Sequence, residues 1–209
     1  MTYIDAQLRL PEVVQVPDNW VVTWQFDDYR SGEPVRVIRW EPPASEASEG
    51  IQPRTLGGSQ MSVVLGRGQR LISFRRFCLS ESALVSVLAG ENGVPDLEES
   101  AQIAAEVMAA VDARSARHSH AMRVERQTRS WRHNGAKIEV PVNWHKFAAP
   151  SGGFSWVSVG PCGEVLEFER DAQWDFREWR RASEQWDHDG WIAAREGIGP
   201  QLDPPAARA

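Results

Sequence analysis

Short runs in which hydrophobic and polar residues alternate predict eight β-strands, in two groups of four. Such alternation is typical of a strand that buries one face and exposes the other. Between the first two strands of the second group, Asn134 and Gly135 tolerate the positive φ angles of a tight type I′ turn, which is the strongest short signal for a hairpin. Each group is therefore predicted to form an antiparallel meander. The strands are expected at 20–27, 34–41, 60–66 and 70–78, and at 121–131, 136–144, 154–160 and 163–170.

The last two strands of each group match one another when the chain is shifted by 94 residues. Over 61–76 and 155–170, four of 16 positions are identical, Phe74 and Phe168 among them, and the apolar positions coincide. A weak internal repeat is the economical interpretation. Tryptophans at similar places extend the match upstream: Trp24 with Trp131, and Trp40 with Trp144.

A central helix is predicted between the two groups of strands, at 95–113. It begins with Asp96, and Glu99 follows three residues later, which is the pattern of a capping box. Its apolar residues recur every three or four positions, so that one face of the helix can lie on a sheet.

A second helical periodicity follows the last strand, at 171–197, and is expected to break at Gly190. The spacing puts three aromatic residues on one helical face: Phe176, Trp179 and Trp186. The sequence thus predicts an α+β fold with two related antiparallel β-meanders, a central helix and a C-terminal helix.

The same pattern divides the chain into two units. The first meander unit is expected at 1–94 and includes a loop at 42–59, which is rich in Pro, Ser, Gly and Glu and is predicted to be mobile. The second unit, at 95–196, holds the central helix, the second meander and the C-terminal helix. A polar, proline-rich tail at 197–209 is expected to be frayed.

In one stretch of the chain, an amphipathic helix, "LEESAQIAAEVMAAV", is followed by four antiparallel strands that end in "GEVLEFER". This stretch resembles the PepSY and cystatin-like families. The resemblance covers about 95–171 and, more faintly, 20–78. It implies one helix packed across a curved four-stranded sheet in each unit. PepSY-like domains are usually exported or attached to membranes and are thought to inhibit or chaperone peptidases. Because the chain begins without the pattern of an export signal, the resemblance is taken to imply the layout and not that activity.

Composition restricts the partners and the compartment. Hydrophobic residues make up 42% of the chain and charged residues 25%, as in an ordinary globular protein. A net charge of -6 argues against nucleic acid and anionic membranes as partners. The sequence has two cysteines, and none of its apolar runs is long enough to cross a bilayer. We therefore expect a cytoplasmic protein with reduced thiols, and its oligomeric state stays open.

No sequence motif specifies a chemistry. The five histidines include the pair His118 and His120, which could face one way on a strand, yet neither an HExxH nor a CxxC pattern supplies further metal ligands. Cys162 lies in a predicted turn where the repeat has Gly68, so the turn itself does not require a thiol. We expect no metal and no cofactor.

Tryptophan is the unusual feature of the composition, with ten residues. Several occur only in the second half, beside "VNWHKF", where an amide, an indole and an imidazole could bind a polar ligand or act with a carboxylate in acid–base catalysis. The simpler alternative is a tryptophan that anchors the core. If a ligand site exists, it is predicted between the second meander and the C-terminal helix. Its candidate residues are Trp131, Asn143, Trp144, His145, Trp156, Glu167, Trp179 and Trp186.

Two functions remain open. The first is a cofactor-free binding or inhibitory module for a protein or peptide partner, such as an immunity-type inhibitor, because open sheet edges invite strand addition. The alternative is a cofactor-independent biosynthetic enzyme of the cyclase or isomerase type, with an aromatic pocket for a small apolar ligand. A deep enclosed cavity would favour the enzyme, and a shallow groove or a bare sheet edge would favour the binding module.

Overall fold

The computed structural model describes residues 10–44, 54–91, 93–149 and 152–209. Its centre is an eight-stranded antiparallel sheet, which confirms the α+β class. The strands are β1 (Val21–Arg30), β2 (Glu33–Glu41), β3 (Gln60–Leu65), β4 (Leu71–Phe77), β5 (His120–His133), β6 (Ala136–Ala148), β7 (Phe154–Val159) and β8 (Val165–Ala172). Their order across the sheet is β1-β2-β3-β4-β8-β7-β6-β5.

All eight strands lie where the alternation predicts them. The largest shift is at the end of β6, which continues to Ala148 instead of stopping at 144. Most of the loop that was predicted to be mobile, 45–53, lies outside the described residues. Residues after it are ordered along the sheet, where Gly58 forms a parallel bridge with Arg132 of β5.

The two groups of strands meet at β4 and β8. Phe74 pairs with Phe168 at the centre of this junction, with ring centroids 6.3 Å apart. The sheet is therefore continuous from one predicted unit to the other, and the apolar cluster beneath the junction contains residues from both.

One face of the sheet is covered by the central helix, α2 (Leu97–His118). It begins where the sequence predicts, because the Asp96 carboxylate accepts the backbone N–H groups of Glu98 and Glu99 at 2.9 Å. Its buried stripe packs on the sheet near the junction through Ala104, Val107 and Met108. Within the described residues, no helix is both long enough and apolar enough to span a bilayer.

Two elements pack on the opposite face of the sheet. A short helix that the sequence did not reveal, α1 (Glu81–Leu88), is capped by the Ser80 hydroxyl and packs near β6 over Trp131 and Val140. The C-terminal segment, 174–209, packs on the first group of strands through Trp186, Trp191 and Ile192.

The prediction of a C-terminal helix at 171–197 is wrong for most of that range. Strand β8 runs on to Ala172, a two-residue ribbon pairs β9 (Trp174–Asp175) with β10 (Arg180–Arg181), and only α3 (Asp189–Arg195) is helical. The reason is local: the Asp175 carboxylate accepts the N–H groups of Arg177 and Glu178, at 2.7 and 3.2 Å, and so forms a turn.

Two further expectations for the C-terminus do not hold. Gly190 lies inside α3 and does not end it. The tail is packed: Ala207 is 1% exposed, and its N–H donates to Gln185 Oε1 at 2.8 Å. The Trp191 indole donates to the Arg208 carbonyl at 2.8 Å. These bonds fix the last residues to the rest of the C-terminal segment instead of leaving them frayed.

Candidate functional site

An open cleft of about 740 Å³ lies between the second group of strands and the C-terminal segment. The sheet supplies the floor through Arg129 of β5, Trp144 and Lys146 of β6, Trp156 of β7 and Glu167 of β8. The wall consists of Gln173 and of residues of the C-terminal segment, which include Trp174, Phe176, His188, Leu202 and Pro205. We call this space the aromatic cleft.

The floor of the aromatic cleft combines indole rings with cations. Trp144 and Trp156 lie with ring centroids 5.9 Å apart and tilted by 44°. The Lys146 ammonium lies 3.7 Å from the centre of the Phe154 ring, and the Arg181 guanidinium 5.3 Å from that of Trp156. Cations over aromatic faces are stabilised by the ring quadrupole, so the rings hold positive charge in the cleft.

The lining is more cationic than the protein as a whole. It has five cationic side chains and three carboxylates, whereas the whole chain has a net charge of -6. The cations are Arg75, Arg123, Arg129, Lys146 and Arg181, and the carboxylates are Glu125, Glu167 and Asp203. The cleft is thus a local positive region on an acidic molecule, which favours an anionic ligand.

Glu167 is a buried carboxylate at the bottom of the cleft. It pairs with Arg75 at 2.9 Å and Arg129 at 2.7 Å, and the Ser158 hydroxyl donates to it at 2.7 Å. Burial opposes its ionisation, but the two guanidinium charges and the hydrogen bonds outweigh burial and lower the pKa of Glu167 to about 2. Glu167 therefore stays ionised and orders the two arginines.

A second buried ion cluster is centred on Glu169 of β8 and joins the sheet to the C-terminal segment. Glu169 is 1% exposed and accepts hydrogen bonds from Arg30 at 2.5 Å and from Arg181 at 2.8 Å. His188 lies beside it, and burial, with the positive charges of Arg75 and its neighbours, holds the pKa of His188 well below its usual range. Because a guanidinium only donates, His188 Nε2 accepts from Arg75, and the proton of the neutral ring is assigned to Nδ1.

The same cluster is the one group of three metal-type ligands found in the described ranges. Ligand atoms of Glu169, Asp187 and His188 lie within 4.8 Å of one another. Two guanidinium groups, from Arg30 and Arg181, already bind Glu169, and that of Arg75 binds His188. A divalent cation there would face three positive charges at short range, so these residues fit an ion-pair network better than a metal.

Three of the eight predicted site residues line the aromatic cleft: Trp144, Trp156 and Glu167. Asn143 and His145 lie on the opposite face, under α2, because neighbouring residues of β6 point to opposite sides. The Asn143 amide donates to Ser100 Oγ at 3.1 Å, and His145 Nε2 lies 3.0 Å from the same oxygen. Burial lowers the pKa of His145. The cluster "VNWHKF" is thus split by the sheet.

The other three predicted residues lie elsewhere. Trp131 is buried under α1, with its ring stacked 5.0 Å from that of Phe77. Trp186 is buried, and its indole donates to the Tyr29 carbonyl at 3.0 Å. Trp179 is 70% exposed on the turn between β9 and β10. Because no helix joins Trp179 to Trp186, the structure does not bring these two residues together at the cleft.

The predicted equivalence of Trp40 and Trp144 is also wrong. Trp40 pairs with Met61, whose counterpart 94 residues later, Ser155, pairs with Phe147. Phe147 therefore occupies the place of Trp40. Trp144 lies three residues earlier on β6, on the face of the cleft, so the two tryptophans do not serve the same structural purpose.

Sequence analysis missed the cations of the cleft. Lys146 follows Trp144 by two residues on β6, which places both on one face. The predicted strand ended at 144, so Lys146 was not assigned to that face. Arg75, Arg181 and His188 come from distant segments, and nothing in the linear sequence indicates that they meet.

Comparisons of the chain with family models, with curated proteins and with solved structures found no match. The resemblance to PepSY and cystatin-like units therefore stays a prediction. The function of the aromatic cleft has to be inferred from its own geometry and charge.

Proposed function

We propose that the protein is a cofactor-free binding module whose aromatic cleft takes an acidic segment of a protein or peptide partner. The observation that carries the proposal is the excess of cations over carboxylates around two half-buried indoles, Trp144 and Trp156, in a chain of net charge -6. Rigid aromatic surfaces next to cations are typical of the central contacts of protein interfaces.

Lys146 supports the acidic character of the partner. Among the described residues it makes no ion pair, and its ammonium contacts the Phe154 ring instead. Burial and the neighbouring charge of Arg123 lower the pKa of Lys146, and the carboxylate of Glu125 offsets them only in part. A carboxylate from a partner would offset the rest.

The titratable groups of the cleft favour binding over acid–base catalysis. Glu167 is held ionised between Arg75 and Arg129, and the Nε2 lone pair of His188 is occupied by Arg75. A general base needs a free lone pair near the substrate proton. The cleft is also an open groove along the sheet, which is the geometry expected of a binding module.

The two halves of the sheet support a further part of this proposal, that they derive from one ancestral unit. Gly68 and Cys162, which are 94 residues apart, occupy the same left-handed turn position, with φ of 65° and 56°. Each turn is closed by the N–H of a glycine two residues earlier, with bonds of 2.8 and 2.7 Å.

Both cysteines are free thiols, which fits a reducing compartment such as the cytoplasm.

Selection from a phage library of random nonapeptides on the immobilised full-length protein tests the proposed function. We expect enrichment of peptides that combine Asp or Glu with aromatic residues. Replacing Trp156 by alanine should weaken binding of the enriched peptides at least tenfold, because truncating a central interface tryptophan costs about 2 kcal/mol or more.

Trp179→Ala is the matched control, since Trp179 is exposed away from the cleft, and it should retain the affinity of the unmodified protein. Absence of enrichment, selection of basic peptides, or equal binding by the Trp156→Ala variant would each contradict the proposed function.

A further inference from the structure

We infer that the partner segment adds to the sheet as a ninth strand, along the outer edge of β5. This inference rests on the proposed function, because it states how the acidic segment is held beside the aromatic cleft. Strand β5 is the last strand of the sheet and, at 14 residues, its longest. Its side chains at Arg123, Glu125, Gln127 and Arg129 face the cleft, so the edge forms the rim of the cleft.

The hairpin turn determines which backbone groups of β5 point outward. Asn134 and Gly135 both have positive φ, 49° and 81°, and form a two-residue turn that makes His133 and Ala136 a hydrogen-bonded pair. Such pairs recur at every second residue of an antiparallel ladder. The odd-numbered residues from Glu125 to His133 therefore bond to β6, and the even-numbered residues from Val124 to Arg132 direct N–H and C=O outward.

One outward-pointing group is already in use. The Arg132 N–H donates to the Gly57 carbonyl at 2.8 Å, and Gly58 forms a parallel bridge with Arg132. This contact agrees with the ladder assignment and shows an outward N–H of β5 bonded to another backbone segment. In the described part of the chain, no other segment pairs with the stretch from Val124 to Ser130.

Charge identifies the occupant of this stretch as acidic. Strand β5 has four arginines, at positions 123, 126, 129 and 132, against one carboxylate, Glu125. Two copies of β5 would repel each other, because like charges that face across strands destabilise pairing. An extended acidic segment has the opposite charge and can pair with the free backbone groups.

The geometry also specifies the side-chain pattern of the partner. A strand added about 4.8 Å beyond β5 would direct every second side chain to the cleft side of the sheet. Trp144 and Lys146 then lie two strands away, on the order of 10 Å, within reach of long acidic or aromatic side chains. We therefore assign the partner as an extended segment with acidic and aromatic residues at alternate positions.

Thr128→Pro tests the inference in the full-length protein. The Thr128 N–H points outward, so proline removes one donor of the edge and leaves the β5–β6 ladder intact. The probe is a fluorescein-labelled nonapeptide in which glutamate and phenylalanine alternate with threonine, and binding is measured by fluorescence anisotropy. We expect affinity to fall about tenfold, because the lost backbone bond also disturbs its neighbours.

Two matched measurements complete the test. Thr128→Val keeps the N–H and should bind as the unmodified protein does. N-methylation of the peptide backbone at successive positions should weaken binding at every second position only, and this readout holds even if the proline variant fails to fold.

The outcomes separate the inference from the proposed function. If Trp156→Ala weakens binding and neither Thr128→Pro nor N-methylation does, strand addition is wrong and the cleft still binds the peptide. If the nonapeptide does not bind the unmodified protein, the inferred side-chain pattern is wrong, whereas failure of the phage selection would remove the proposed function itself.

Discussion

Replacing Glu167 by glutamine should destabilise the protein by about 3 kcal/mol at pH 7. The substitution keeps the size of the side chain and leaves Arg75 and Arg129 without their buried counter-ion. The magnitude follows from linkage, because the pKa of Glu167 lies at about 2 in the folded protein against a usual value of 4.5.

The destabilisation should depend on pH in a defined direction. Because folding lowers the pKa of Glu167, its ionised form stabilises the native state, fully above about pH 4.5, and this stabilisation is lost as the pH falls towards 2. Urea denaturation of both proteins from pH 7 to pH 2 should therefore give a difference that shrinks with acid. Glu139→Gln, at an exposed carboxylate, is the control and should match the unmodified protein. A pH-independent difference would contradict the role of Glu167.

Replacing Phe168 by alanine should cost about 3–5 kcal/mol of unfolding free energy. Phe168 is 2% exposed and packs against Phe74 at the pairing that joins the two groups of strands, beneath α2. Removing a buried phenylalanine loses its transfer free energy and leaves a cavity. The measurement is chemical denaturation at pH 7.

Phe176→Ala provides the matched control for this substitution, because Phe176 is 66% exposed and its loss should change stability little. If Phe168→Ala and Phe176→Ala had equal effects, the β4–β8 junction would not be the common core of the two groups.

The outer strands could be predicted from the sequence because a period of two is visible without knowledge of the neighbours, and the central strands, such as β3, which is buried on both faces, are short apolar runs between turn residues. The order of the strands could not, since the pairing of Phe74 with Phe168 joins residues 94 positions apart. Helix α1 has eight residues, too few for a clear periodicity. The stretch around Trp179 has helical spacing, but the turn at Asp175 and packing of the tail override it.

The predicted site residues lie in the half of the chain that also holds the aromatic cleft, but only three of the eight line it. Trp144 and Trp156 could be placed together because both lie on neighbouring predicted strands. Asn143 and His145 do not line the cleft, because alternation along β6 directs them to the face opposite Trp144. The contribution of the C-terminal segment, including His188, depends on tertiary packing that no local pattern encodes.

Binding of an acidic segment in the aromatic cleft is tested most directly at Lys146, which lines the cleft. The only other lysine in the chain is Lys137, so the signals of the two can be told apart. Reductive ¹³C-methylation labels the two lysine amines together with the N-terminal amine and keeps their charge, and the variants Lys137→Arg and Lys146→Arg assign the two lysine signals. Without peptide, the pKa of Lys146 should lie below the usual value of a lysine, because burial and Arg123 disfavour the charged form. We then add the nonapeptide in which glutamate and phenylalanine alternate with threonine. It should shift the Lys146 signal and raise the pKa of Lys146, and the Lys137 signal should not move. At a peptide concentration at which anisotropy shows the nonapeptide to be bound, equal shifts of both lysines, or a Lys146 signal that does not respond, would contradict binding of an acidic segment in the aromatic cleft.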